Sequence, residues 1–529
     1  MSSLVIAGDT SGTVTLQAPA VAGSTTVNLP STSMNMGNGG GSVSTNTAFG
    51  TYALNANTTG AANTAIGRET LYTNTTGANN VAVGYSALYS NSVGVNNVAV
   101  GENALSNNTA SNNTAIGQRA LVNNTTGTPN DAFGYQALYS NTTGTNNSAV
   151  GYQSLYNNTN GSNNAAVGNS ALKANTTGSY NSSFGSGALS SNTTGFSNTA
   201  VGVLASYLNV TGSNTTAVGT NCLQNNLASN NTAVGQAALQ NNTSGTPNDA
   251  FGYQALYNNT TGYNNVAMGS QSLYSLTTGY NNTAVGYQAL YSPTYTYANA
   301  AFGTQSLYKI STGYRNTGIG FTAGYQITTG SYNTAVGSSA MGEQSISTTG
   351  SDNCAFGSWH DGVVEGPLAA LTSGSRNLAF GNGAMRSLTT GADNVSIGYF
   401  SGSYSNALTT GISNTIIGNY ASTNSAGAQF QIVIGKDNVG QGDNYVSIGK
   451  GGTNYIYNQF TVNATWTKAS DERIKTNIQD MPIGLDFINE LKVKSYNWKA
   501  SYDIPTDIIG YSEENTQDTE ATMYGMLAQ

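Results

Sequence analysis

The chain has 529 residues, of which only 7% are charged; the formal net charge is −8, and Gly (65) and Tyr (33) are abundant. About a quarter of an average globular chain is charged, so an ordinary globular domain fits poorly, and the acidic balance argues against nucleic acid and anionic membrane surfaces, which call for basic patches. Two cysteines, Cys222 and Cys354, make no disulfide framework, and no run of about 18 apolar residues marks a helix that inserts into a membrane.

The opening, MSSLVIAGDTSGTVTLQ, has no basic segment and no sustained apolar core, so a secretory signal peptide is not expected. Residues 1–40 stand outside the pattern that follows. Val14, Leu16, Val27 and Leu29 alternate as strand residues do, which predicts a β-element that caps or attaches the rest. Such openings resemble those of bacteriophage tail-fibre proteins.

Residues 41–450 are a repeat. A Gly closes an Ala-apolar-Gly phrase at 50, 67, 84, 101, 117, 134 and onward to 337, in steps of 17 or 16. The register then loosens through Gly357, Gly381, Gly398, Gly418, Gly435 and Gly449, giving about 24 units. Disordered chains lack apolar positions that return in register, and a short fixed period marks a stacked array. Each unit holds two strand-like pieces. In NVAVG, Val81 and Val83 face one way and Ala82 the other; the second piece, YQALY, carries Leu88, Leu138, Leu155, Leu256 and Leu290 at one position. NTTG between them supplies turn residues. Two strands and two turns make one coil of an all-β parallel β-solenoid, and stacking at strand spacing implies a body on the order of 115 Å long. In this reading the larger apolar residues fill the coil, and the Ala faces outward. A face that stays small and dry implies close packing against another copy, hence an oligomer. The AVG and AIG units with a following A-L, over residues 44–450, resemble the head repeats of trimeric autotransporter adhesins. That resemblance implies β-rolls bundled as a homotrimer.

Within the repeat, the N-x-T triplets match a glycosylation pattern, but turn chemistry explains them. Tyr89, Tyr139, Tyr156, Tyr257, Tyr274, Tyr291 and Tyr308 recur at one position and predict an aromatic ladder, which stabilises a solenoid without a ligand and can also stack on sugar rings. Cys222 takes an Ala slot of the core. Cys354 lies eight units away, roughly 38 Å at strand spacing, too far to pair with it. Between 338 and 381 the steps lengthen to 20 and 24 residues, with Trp359, His360, Asp361 and Glu365 inside. His360 is the sole histidine, and one His with two acids falls short of the three or four ligands of a metal site. No metal or cofactor is expected. Insertions in solenoids map to surface loops, which makes these four residues a candidate receptor-contact loop against the plainer reading of decoration.

After a stem at 451–469 the chain changes character: 17 of the 38 charged residues fall from Lys468 onward. The stretch TKASDERIKTNIQDMPIGLDFINELKVKSYNWK, with YGMLAQ at the end, resembles the self-cleaving intramolecular chaperone domain of phage endosialidases and tail fibres. Ser470, Asp471, Arg473, Lys475, Asn477 and Ile478 carry the motif. The resemblance implies a small α+β domain over 470–529 that sets the trimer, then leaves by cleavage between Ala469 and Ser470, with Ser470 as nucleophile and Lys475 as base. From the residues alone, a charged solvated turn is the other reading.

The function these features predict is a structural virion component: a homotrimeric phage tail fibre for host attachment, made in the host cytoplasm. Its N-terminus would dock to phage tail or baseplate proteins, and its partner outside would be a host-surface glycan or protein. A bacterial trimeric surface adhesin is the alternative, set back by the absence of a signal peptide. A glycan-degrading tailspike is weaker, since glycosidases use paired carboxylates and the repeat is nearly acid-free. An ice-binding solenoid is weaker still, because the Thr residues fall in turns.

Overall fold

The computed structural model describes residue 43 and residues 45–342, 346–358, 366–461, 467–468, 494–497 and 522–525. The chain divides into two units, Met1–Lys468 and Ala469–Gln529. The first is an all-β parallel β-solenoid of about 23 turns, with no helix among the described residues. Twenty-four short strands, from Thr47–Phe49 to Tyr445–Lys450, each pair in parallel with the strand of the next coil. Equivalent residues lie opposite one another, as in Ala82↔Ala99 and Ala132↔Ala149. The long units do not break this register: Cys354–Phe356 pairs with Thr334–Val336 before it and Leu378–Phe380 after it. Asn454–Gln459 then folds back antiparallel on Tyr445–Lys450 and takes Thr467–Lys468 on its other edge.

The coil differs from the sequence expectation in two respects. First, there is one strand per coil, not two. In YQALY the backbone alternates into the left-handed region, with Gln136 at φ 55° and Leu138 at φ 52°. Its hydrogen bonds still run from coil to coil: the Leu138 amide donates to the Ser154 carbonyl at 3.0 Å and the Leu88 amide to the Ala104 carbonyl at 2.9 Å. A left-handed Leu costs about 1–2 kcal/mol, and full burial of its side chain returns a similar or larger amount, about 1.5–3 kcal/mol. Leu54, Leu88, Leu138 and Leu256 are all completely buried.

Second, the strand faces are reversed. Ala82, Ala99 and Ala132 point inward and are fully buried, while the flanking larger residues point out: Val81 is 38% and Phe133 37% exposed. The cause is width. With a Leu from the opposite wall and a second Ala beside it, such as Ala87 and Leu88, only a methyl group fits opposite. The outward Ala that implied an oligomer is therefore a core residue.

Two rows of buried asparagines line the ends of the coil. In the NTTG phrase Asn141 is fully buried, and its Nδ2 donates to Asn124 Oδ1 at 2.8 Å and to the Gly144 carbonyl at 3.1 Å. Before the strand, Asn147 Nδ2 donates to the Gly161 carbonyl at 2.8 Å, and the Asn147 amide to Asn130 Oδ1 at 3.0 Å. These rungs satisfy turn carbonyls that would otherwise be buried alone. From Leu276 onward the first row becomes apolar, with Ile310, Ile327, Leu371, Leu388 and Leu408 completely buried. The closing Gly is required by geometry: at Gly252 φ is +139°, and a Cβ would stand 2.5 Å from the Gly269 carbonyl oxygen.

In the second unit, Lys494–Asn497 pairs antiparallel with Thr522–Gly525.

Candidate functional site

The outward side of the strand wall is the surface that sets this solenoid apart. The residue before each closing Gly is apolar, running Phe49, Ile66, Val83, Val100, Ile116, Phe133 at one end and Phe380, Ile397, Ile417, Ile434, Ile448 at the other. Many of these side chains are open: Phe49 46%, Phe184 44%, Met268 45% and Phe380 56%. The first outward position is small or uncharged, as in Thr64, Val98, Ser148 and Ala165, and carries a charge only at Asp131 and Asp249. Soluble chains rarely leave a continuous apolar patch of more than a few hundred Å² uncovered, and this column persists through all 24 strands. At its C-terminal end Ile448 and Ile456 face each other across the hairpin, with Phe460 58% exposed beyond them.

Tyrosines form stacked rows elsewhere on the coil. Tyr257, Tyr274, Tyr291, Tyr308 and Tyr325 stack with centroids 5.0–5.3 Å apart. Tyr72–Tyr89 and Tyr139–Tyr156 are separate pairs at the same position, so the expected ladder exists in three runs. A second row, Tyr263, Tyr280, Tyr297 and Tyr314, follows the turn at 4.7–5.1 Å. Because each ring covers its neighbour, the faces inside a row are taken, and phenol edges and hydroxyls are what it offers to solvent. Burial, with the neighbouring phenols second, holds the Tyr274, Tyr297 and Tyr308 hydroxyls above their ordinary range, so at neutral pH they act as donors.

The cysteines lie apart and unpaired. Cys222 is wholly buried in an Ala slot, its Sγ 3.2 Å from the Ala233 carbonyl, and burial pushes its thiol up to about 12. Cys354 is half-buried on the outward strand face. Asn214 heads an exposed N-T-T triplet, whereas the N-T-T acceptors Asn74, Asn124, Asn141, Asn175, Asn192 and Asn259 are buried. Most of their amides are spent on the asparagine rungs, which removes them from glycosylation in the folded chain. Among the described residues no group of three or more His, Cys, Asp or Glu could hold a metal.

The candidate contact residues Trp359, His360, Asp361 and Glu365 lie outside the described residues, as do residues 1–40. So do Ala469, Ser470, Asp471, Arg473, Lys475, Asn477 and Ile478. What the sequence reading missed is the asparagine rungs and the outward apolar column; the signal for the second was the residue before each closing Gly, which never drifts to a polar residue.

Residues 470–529 match the family model for the chaperone of endosialidase. The match begins one residue after the first residue of the second unit. Members of this family are intramolecular chaperones that cleave themselves, and no turnover activity comes with the match. No curated protein matches the chain. A β-solenoid followed by this chaperone is the make-up of a tail-fibre-like or tailspike-like structural protein.

Proposed function

We propose that the protein is a homotrimeric phage tail fibre that attaches the virion to its host cell, its C-terminal unit acting as the chaperone that sets the register of the three chains. The observation that carries this is the outward apolar column. A single solenoid leaves it in water along its whole length, and three copies turned toward a common axis would cover it. Near-identical coils allow a slip of one unit at almost no cost, because every coil offers the same outward face. Long-range parallel assembly of this kind is slow and open to aggregation. A trimeric clamp that folds first removes both problems.

In this reading the chaperone leaves after assembly. The Ser470 hydroxyl attacks the Ala469 carbonyl carbon while Lys475 takes the hydroxyl proton. The Ala469–Ser470 C–N bond breaks as the ester forms, the freed amine of Ser470 takes up a proton, and water then hydrolyses the ester. The resulting rod is held by a high barrier to unfolding, which suits a particle outside a cell. Its place is the virion, with assembly in the host cytoplasm, residues 1–40 toward phage tail or baseplate proteins and the rod toward a host-surface glycan or protein.

Intact mass under denaturing conditions tests the processing step. The wild-type chain is expected to end at Ala469 and the Ser470→Ala chain to remain whole. Two whole chains would mean that the C-terminal unit stays as a permanent clamp.

A further inference from the structure

The longest tyrosine row sets five phenols on consecutive coils, and each step along it is alike. Tyr257, Tyr274, Tyr291, Tyr308 and Tyr325 stack with centroids 5.0–5.3 Å apart and ring planes within 3–6° of parallel. The backbone fixes this register: the amide after a tyrosine donates to the carbonyl of the next tyrosine, as Ser275 does to Tyr291 at 3.1 Å and Lys309 to Tyr325 at 3.2 Å. Tyr263, Tyr280, Tyr297 and Tyr314 repeat the arrangement in a row of their own, at 4.7–5.1 Å and 3–12°.

Stacked phenols are electron donors, and what they can do depends on which other donors stand near. Residues 250–342 contain no Trp, Cys or His. The indoles and thiols that would take over an oxidised tyrosine are therefore absent from these coils. Their two thioethers, Met268 and Met341, give up a single electron less readily than a phenol does. The five rings of the longest row are half-buried. With their faces covered, an oxidant in water meets the hydroxyl edge, where the two ortho carbons flank the oxygen.

We propose that the tyrosine rows are sites of oxidative coupling, at which neighbouring rings join as dityrosine and staple one coil to the next. The co-reactant is a one-electron oxidant, of the kind a haem peroxidase forms from peroxide. Two phenols each give one electron to the oxidant and one proton to water, which leaves two phenoxyl radicals with spin on the ortho carbons. A carbon–carbon bond forms between one ortho carbon of each ring. The hydrogen on each of those carbons then moves to the oxygen of its ring and restores both phenols. The pair has lost two electrons and two protons, and one peroxide has become two waters. Both partners are already held on adjacent coils, so the coupling is intramolecular, with a high effective concentration. The rings turn about their own side-chain bonds to meet, while the backbone stays in register. Each link joins residues 17 apart, as 291 is from 274. It closes a loop as a disulfide does in other chains, and the two cysteines here are unpaired. The inference goes beyond the attachment reading and does not depend on it.

The test oxidises the dilute full-length protein with tris(bipyridine)ruthenium and persulfate under visible light, once folded and once unfolded in urea. Links are mapped by mass spectrometry after digestion of the denatured chain, each linked pair being two hydrogens lighter than its parts. The expected result is a single-chain mass on a denaturing gel and links such as Tyr274–Tyr291. Their yield is expected to be about tenfold or more above that in the unfolded chain. In Tyr274→Phe/Tyr308→Phe the rings still stack, but no two phenols of the longest row are neighbours. Its links are expected to vanish while Tyr280–Tyr297 persists, with a circular dichroism spectrum like that of wild type. The coupled wild type is expected to unfold at a higher urea concentration than the untreated protein. Row links no more frequent than in the unfolded chain, or links mainly between chains, overturn the proposal. So does a linked rod with an unchanged urea midpoint, because its coils are then not stapled.

Discussion

Single side chains in this rod are judged by the width of the coil. Interior alanines such as Ala132 and Ala149 have no slack around them, so Ala149→Leu is expected to destabilise by about 1–3 kcal/mol through overpacking. Leu138→Ala opens a cavity at a site that cannot collapse and costs about 2–5 kcal/mol. Denaturant midpoints for the two variants check both. Cys222 gives a pH signature. Its thiol ionises near 9 when unfolded and is pushed up to about 12 when folded, so the folded chain holds the proton more tightly. Stability from this group is whole below pH 9 and is lost as pH rises from 9 toward 12. The raised hydroxyls of Tyr274, Tyr297 and Tyr308 act in the same direction. Cys222→Ala, which restores the residue used in neighbouring coils, is expected to make stability less steep in pH over that window, as read from unfolding curves at pH 8 and pH 10. At neutral pH the native thiol of Cys222 is expected to stay silent to thiol reagents until the chain unfolds.

The coil shows which local features a sequence discloses and which need the neighbouring wall. Period, closing Gly and the strand at NVAVG follow from the residues, because alternation and a positive-φ glycine are local properties. Which side of that strand is inside is not local. Alternation of Val81, Ala82 and Val83 defines two faces, and only the Leu on the opposite wall leaves methyl-sized room and so assigns the Ala inward. The YQALY segment misled for a related reason: its apolar alternation imitates a strand, while its Leu occupies the left-handed region. The asparagines were legible as turn formers but not as rungs, since each rung needs the Asn of the next coil. Rungs make a contrast that can be measured. Asn158 sits mid-row, receiving Asn175 Nδ2 at 2.7 Å and donating to Asn141 Oδ1 at 2.8 Å and the Gly161 carbonyl at 2.9 Å. Asn158→Leu strands several buried groups and is expected to cost about 2–3 kcal/mol or more. Asn259 ends the row against Leu276, and its Oδ1 already lacks a partner. Asn259→Leu moves that seam back one coil and is expected to cost under about 1 kcal/mol. Paired urea titrations decide it, and equal losses at the two sites would remove the rung argument.

Over the whole molecule, the exposed apolar column is the feature that one chain does not explain by itself. The oligomer expected from the sequence rested on an Ala that proves to be interior; the outward Phe, Ile, Val and Met residues are what the proposed assembly rests on instead. Val150 and Val167 are 39% and 37% exposed on that column. Val150→Glu with Val167→Glu leaves the coil interior untouched and places two carboxylates where copies meet, so folded but unassembled chains are expected, read by circular dichroism and sedimentation velocity together. The residues that carry the proposed cleavage were legible as a motif because chemistry of that kind is written in contiguous sequence. A contact between copies is written across chains, and the repeat states only that one outward position is kept apolar. Sedimentation equilibrium of the purified wild-type protein, set against its denatured mass, is the measurement to make: a native mass three times the single-chain mass is expected, and a stable monomer with the column open to water would contradict the trimeric fibre.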